Sequence, residues 1–154
     1  MSKASKAAKP VSCPLNRFLE LFGDRWTLLI VRDLLFGEKH EFGEFLSAQE
    51  GIATNMLADR LRRLERLGVV TRRPHPTDAR KRVYSLSIKG VELAPVLIEA
   101  ARWSEAHEGV AIPAPLRQTF ALDREALMAA LQSRVSRSEE TPAPPRLRSR
   151  RRPV

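Results

Sequence analysis

Apolar residues recur at helical spacing along most of the chain and alternate in one place only. Leu15, Phe18, Leu19 and Phe22 predict a first helix, which Gly23 can end. "DRWTLLIVRDLLFGE" starts a second. Its Trp26, Leu29, Ile30, Leu34 and Leu35 form an apolar face so broad that this helix should lie at the buried centre of the domain. "EFGEFLSAQEGI" carries Phe42, Phe45 and Leu46, enough for one or two amphipathic turns, before Gly51 breaks the chain. In "ATNMLADRLRRLERLG" the residues Leu57, Leu61, Leu64 and Gly68 follow at intervals of four, three and four, along one line of a helix. The opposite face holds Asn55, Asp59, Arg62, Arg63 and Arg66, with Met56 and Arg60 at its edge. Gly68 is placed to cap the helix.

The alternating stretch follows. "VVTRR" predicts a strand, "PHPTDA" a turn, and "RKRVYSLSI" a second strand with Val83 and Ser85 on one side and Arg82, Tyr84 and Leu86 on the other. Ser87 can then cap a long helix through "IKGVELAPVLIEAARWSEAH", which Pro95 should kink or divide. The pattern sets four regions. Residues 1–12 are a flexible basic arm, 13–108 the main domain, 109–135 a Pro-containing linker and a C-terminal helix through Leu127, Leu131 and Val135, and 136–154 a disordered Arg- and Pro-rich tail. The expected class is mainly α with a small β-hairpin. Short helix, glycine break, Arg-rich helix and hairpin come in the order of a winged helix-turn-helix.

Charge sharpens that picture. The 154 residues carry a net charge of +9, which favours a polyanionic partner. From Thr54 to Arg82 nine basic side chains face three acidic ones, so most of the excess lies in the Arg-rich helix and the hairpin. The sequence therefore predicts a double-stranded DNA interface with no membrane partner. Asn55, Met56, Asp59, Arg60 and Arg63 are the candidates to reach base edges, with Arg63 chief among them. Thr54, Arg62, Arg72, Arg73, His75, Arg80, Lys81 and Arg82 complete the DNA-binding set, mainly toward phosphate. His75 reads more simply as a solvated wing residue.

Catalytic chemistry finds no support. His40, His75 and His107 fall on three separate elements, nothing has metal-ligand spacing, and there is no Gly-rich phosphate loop. Neither enzyme activity, cofactor nor metal is expected. The single cysteine, Cys13, excludes an intramolecular disulfide and fits a reducing cytosol. At a helix start near Lys9 and Arg17 it reads either as a small apolar residue or as a thiol sensor. "MSKASKAAKPVS" is basic without an apolar run, so a cytoplasmic, nucleoid-associated protein is expected. Trp26 and Trp103 read as core or dimer-seam residues.

Cys13-Pro14, "GDRWTLLIVRDLLFG", "GIATNMLADRLRRLERLGVV" and the "YSLSIKG" junction together resemble the HxlR family of bacterial transcriptional regulators. The resemblance implies a homodimeric winged helix that binds palindromic operators, and the role expected of this chain is a sequence-specific regulator, most simply a repressor. Dimerisation would use Leu15–Phe22 and Ile88–His107, the recognition helix would be Thr54–Leu67, and the wing Pro74–Arg82. Cys13 matches the position at which some members sense electrophiles or oxidants, and a small-molecule effector would need a pocket between the first helix and the dimer helix. Ala53 stands where members commonly have Ser, leaving Thr54 to supply the capping hydroxyl. The rival readings are a winged-helix protein-interaction module and a non-specific architectural nucleic-acid-binding protein.

Overall fold

A computed structural model describes residues 13–140, with side chains through residue 137. The predicted basic arm and the tail beyond Glu140 lie outside the described residues. Helix α1 (Pro14–Phe22) begins with its proline in the first turn, where the missing N–H costs nothing. Helix α2 (Arg25–Phe36) buries Thr27, Ile30, Val31, Asp33, Leu34 and Leu35. Its Leu29 is only half-buried, and Val31, fully buried, takes the central place. Helices α3 (Phe42–Leu46) and α4 (Thr54–Arg66) follow across a turn in which Gly51 adopts φ +69°, a value that favours glycine.

Leu57, Leu61 and Leu64 point inward from α4 and are at most 1% exposed, as the spacing predicted. The helix ends on Gly68, also at φ +69°. Val69 N–H donates to the Leu64 carbonyl and Gly68 N–H to the Glu65 carbonyl. This paired closure satisfies carbonyls that a helix end would otherwise strand. Strands β1 (Val70–Pro74) and β2 (Arg82–Leu86) then form the antiparallel hairpin, with Val70 opposite Leu86 and Pro74 opposite Arg82. Tyr84 and Leu86 face the core. A third piece of backbone backs β2: Glu41 bridges Val83, and Tyr84 N–H donates to the His40 carbonyl. The alternation pattern did not announce it, because two residues are too short for a period.

Ser87 caps α5 (Ile88–Val91), and the chain restarts as α6 (Ala94–Glu108) with Pro95 in its first turn. Pro95 thus divides two helices. Gly90 is buried so tightly that a Cβ there would lie 2.3 Å from the Val69 carbonyl oxygen. The C-terminal region differs from expectation. Residues 114–121 form a helix of their own, α7 (Ala114–Ala121), and α8 (Arg124–Glu140) begins after a break at Leu122 and Asp123. Asp123 Oδ1 accepts from Ala126 N–H, and this first-turn bond sets the new start. Helix α8 continues to Glu140, past the predicted start of the disordered tail at Ser136. Leu127, Leu131 and Val135 are buried against the domain. Phe120 meets Phe36 edge-on at 5.1 Å, and Arg134 donates to the Leu35 carbonyl.

Candidate nucleic-acid interface

Helix α4 turns Thr54, Asn55, Asp59, Arg62 and Arg66 to solvent. Asn55, Asp59, Arg62 and Arg66 are spaced four, three and four residues apart, so they share one line opposite the leucines. Arg62 and Arg66 have no hydrogen-bond or ion-pair partner among the described residues. Met56, a candidate base contact at the edge of the charged face, is partly buried against the core. Ala53 occupies the cap position with no side-chain cap, and Thr54 does not replace it. Asn55 Oδ1 accepts the Met56 N–H at 2.9 Å and so satisfies one donor of the uncapped first turn.

The other two arginines of α4 are tied down. Arg60 is 19% exposed. Its Nε donates to Asp24 Oδ1 at 2.9 Å and its Nη1 to Asp59 Oδ2 at 2.6 Å. Asp24 is the cap of α2, accepting the N–H groups of Trp26 and Thr27 and the Thr27 hydroxyl. Burial pushes the Asp24 carboxyl up, but the hydrogen bonds from Thr27 and Arg60 outweigh it and hold it below its ordinary value. Arg63 Nη2 donates to the Glu20 carbonyl in the last turn of α1 at 2.7 Å. The two arginines expected to reach bases thus engage the corner between α1 and α2. These bonds cross 36 and 43 residues, and no local pattern could have shown them.

The wing's charge is held partly by neighbouring elements and partly within its own turn. Arg72 pairs with Glu65 of α4 at 3.4 Å. At the tip, Arg80 is 92% exposed and pairs with Asp78 of the same turn, while Arg82 donates to the carbonyls of Ala79 and Lys81. Arg73 is also exposed. The Arg80 side chain holds the Asp78 carboxyl below its usual range. His75 is not merely solvated. Its Nδ1 accepts the N–H groups of Thr77 and Asp78, at 3.2 and 3.3 Å, which leaves Nε2 to carry the proton toward Glu41 Oε1 at 3.2 Å. The other oxygen of Glu41 accepts from Lys81 at 2.8 Å and raises its pKa. Glu41, which sequence reasoning passed over, pins the wing to the start of α3. Arg66 was on the charged face in the sequence but outside the predicted contact set.

Elsewhere, Arg32 bonds both Asp33 and Glu50, and Lys39 reaches Asp33 at 3.0 Å. The Arg32 side chain holds the Glu50 carboxyl down to about 2. Cys13 is exposed at the start of α1, without a side-chain capping bond. Trp26 packs against the core, whereas Trp103 is 58% exposed. A small cavity of about 50 Å³ lies between α2, β2, α5 and α8, not between α1 and α6. Among the described residues no group of His, Cys, Asp or Glu could hold a metal ion, and no helix is long and apolar enough to cross a membrane.

A core of three helices, an outward arginine line on the third in the order α2, α3, α4, and a hairpin beside it define a winged helix-turn-helix protein. Residues 21–110 match the HxlR-like helix-turn-helix family, and the chain belongs to that family. An HTH-type transcriptional regulator of Synechocystis sp. is 36% identical over 86 residues, covering 56% of this chain and 63% of the relative. The chain therefore spans less than two thirds of that relative's length. The reduced form of the transcriptional regulator YodB from B. subtilis superposes with a TM-score of 0.52 at 31% identity, over 63% of this chain and 95% of YodB. The redox regulator HypR in its oxidised form gives 0.54 at 28%, over 62% and 97%.

Proposed function

We propose that the chain is a homodimeric, sequence-specific DNA-binding regulator of transcription, acting as a repressor. Helix α4 enters the major groove and the wing follows the sugar-phosphate backbone. One observation carries the reading: Arg62 and Arg66 stand exposed, with no partner among the described residues, on one line with Asn55 and Asp59. Arginine matches guanine edges, asparagine adenine and aspartate the cytosine amine, so this line has the chemistry of base readout. Leu15 and Leu19 on α1, and Val96 and Trp103 on α6, are large apolar side chains left 42–65% exposed. They support a dimer seam on these two helices, which would set the two α4 copies in successive major grooves roughly 34–36 Å apart.

The test is a mobility-shift titration with DNA from upstream of the protein's own gene against excess random duplex. Tight binding that survives the competitor is expected. Affinity should fall about 10³–10⁵-fold between 50 and 200 mM salt if roughly 6–10 phosphates are neutralised. No duplex binding at low salt would favour an interaction module, and binding without preference an architectural protein. A thiol response is a second reading, favoured by the exposure of Cys13 and by the likeness to the redox regulator HypR. Peroxide should then release the wild type from DNA and leave Cys13→Ser bound.

A further inference from the structure

The arginines of α4 fall into two pairs with different surroundings. Arg62 and Arg66 face solvent with no partner among the described residues, while Arg60 and Arg63 each bond a different point of the α1–α2 corner. Those two points are not passive. Glu20 belongs to the last turn of α1, so its carbonyl is one of the acceptors a helix end leaves open. A guanidinium is a favourable partner for that negative end. Asp24 fixes where α2 begins, through three bonds besides that from Arg60. Helix α1 also carries the exposed Leu15 and Leu19, 65% and 53% accessible. One helix therefore offers an exposed apolar face on its outside and, at its C-terminal end, grips α4.

We propose that Arg60 and Arg63 are positioning residues that lock α4 to the α1–α2 corner and so set the separation of the two half-sites, while Arg62 and Asn55 choose the bases. This rests on the DNA-binding reading above. Two bonds from successive turns of α4 to two points on the corner resist both rolling and sliding of the helix. An arginine held 2.7 Å from a carbonyl on another helix would have to surrender that bond to reach a base. Arg62 surrenders nothing. Separation and sequence are then two properties encoded on two faces of one helix, and single substitutions should alter one without the other.

The experiment measures binding of the full chain to a set of palindromic duplexes in which the spacer is varied by single base pairs and each half-site position is varied in turn. For Arg63→Ala and Arg60→Ala, the penalty for a one-base-pair change of spacer should shrink or its optimum should move. For Arg63→Ala, preference at every half-site position should stay within about twofold of wild type, since Arg63 shares no bond with Asn55, Asp59 or Arg62 and residues without a shared partner usually act additively. Arg60→Ala also frees Asp59, so it is read by its spacer response alone. Arg63→Lys should restore the spacer optimum, since an ammonium can still donate to the Glu20 carbonyl. Arg62→Ala should do the reverse, losing about 5–150-fold discrimination at one position in each half-site with the spacer optimum retained. Asp24→Asn keeps a capping oxygen but removes the charge opposite Arg60, so it should resemble Arg60→Ala even if that variant folds poorly.

The inference is overturned if Arg63→Ala erases preference at a base position while leaving the spacer optimum intact, or if it alters neither. A wild-type chain that shows no preference among the duplexes would instead sink the DNA reading itself, and this inference with it.

Discussion

Four arginines stand on α4 and five basic residues on the hairpin, yet the two groups are restrained in different ways. Helix α4 is anchored by leucines that are at most 1% exposed, and two of its arginines bond a distant corner of the domain. From Thr71 to Arg82 no side chain is buried. The tip is shaped by its own short bonds, with His75 capping two backbone N–H groups and Arg80 meeting Asp78, and by the single carboxylate of Glu41. A group that must read bases needs a fixed aim, because a bidentate contact fails with small displacements. A group that follows phosphate needs only charge within reach, and local restraint suffices.

The comparison breaks most visibly in stability. Leu61→Ala should cost about 2–5 kcal/mol, because a buried leucine leaves both a lost transfer energy and a cavity. Thr77→Ala in the wing should stay within roughly 0.5 kcal/mol, as exposed substitutions away from special features usually do. Urea denaturation of both variants tests this. Equal costs would mean that the wing is as firmly built into the fold as α4.

The smaller arrangement around α4 should be visible in acid. Asp24 and Glu50 have folded pKa values below their ordinary ones, Glu50 down to about 2. The unfolded chain therefore takes up protons first. Their contribution is fully present above about pH 4.5 and is lost as pH falls toward about 2. Asp24→Ala removes an α2 cap and the Arg60 partner together and should cost about 1–2 kcal/mol at neutral pH. The gap between variant and wild type should narrow below pH 4. A gap independent of pH would show that the cap geometry, and not the charge, carries the effect.

How much of this was legible in the sequence follows the same division. The leucine spacing of α4, the two strands of the hairpin and the break at Pro95 are local patterns visible in the sequence, whereas the pairing of Pro74 with Arg82 extends the hairpin one residue into the expected turn. The split between α7 and α8 was also available, since Asp123 precedes a first turn with Glu125 and has the form of a cap. The aromatic Phe120 disguised it, extending the apolar period back across the break. The roles of Arg60, Arg63 and His75 were not legible. On a helical wheel an arginine at the edge of a charged face looks like any other, and only the tertiary placement of Asp24 and Glu20 separates the bound from the unbound. Glu41 gave no signal because its two partners lie more than thirty residues away.

The smallest expected effect is the most direct test of the wing. Arg80 is 92% exposed, and its one carboxylate partner, Asp78, lies two residues away in the same turn. Such a pair adds little to folding, because water screens it and two mobile side chains must be ordered to form it. Arg80→Ala should therefore leave the unfolding midpoint essentially unchanged. Its effect should appear only with DNA present. There the guanidinium would exchange Asp78 for a phosphate, and each phosphate lost lowers the slope of log affinity against log salt by roughly 1. The loss should be the same for operator and random duplex, since a backbone contact carries no base information. A variant that instead lost affinity for the operator alone would place Arg80 in a groove, and the contrast between an aimed helix and a permissive wing would fail at its tip.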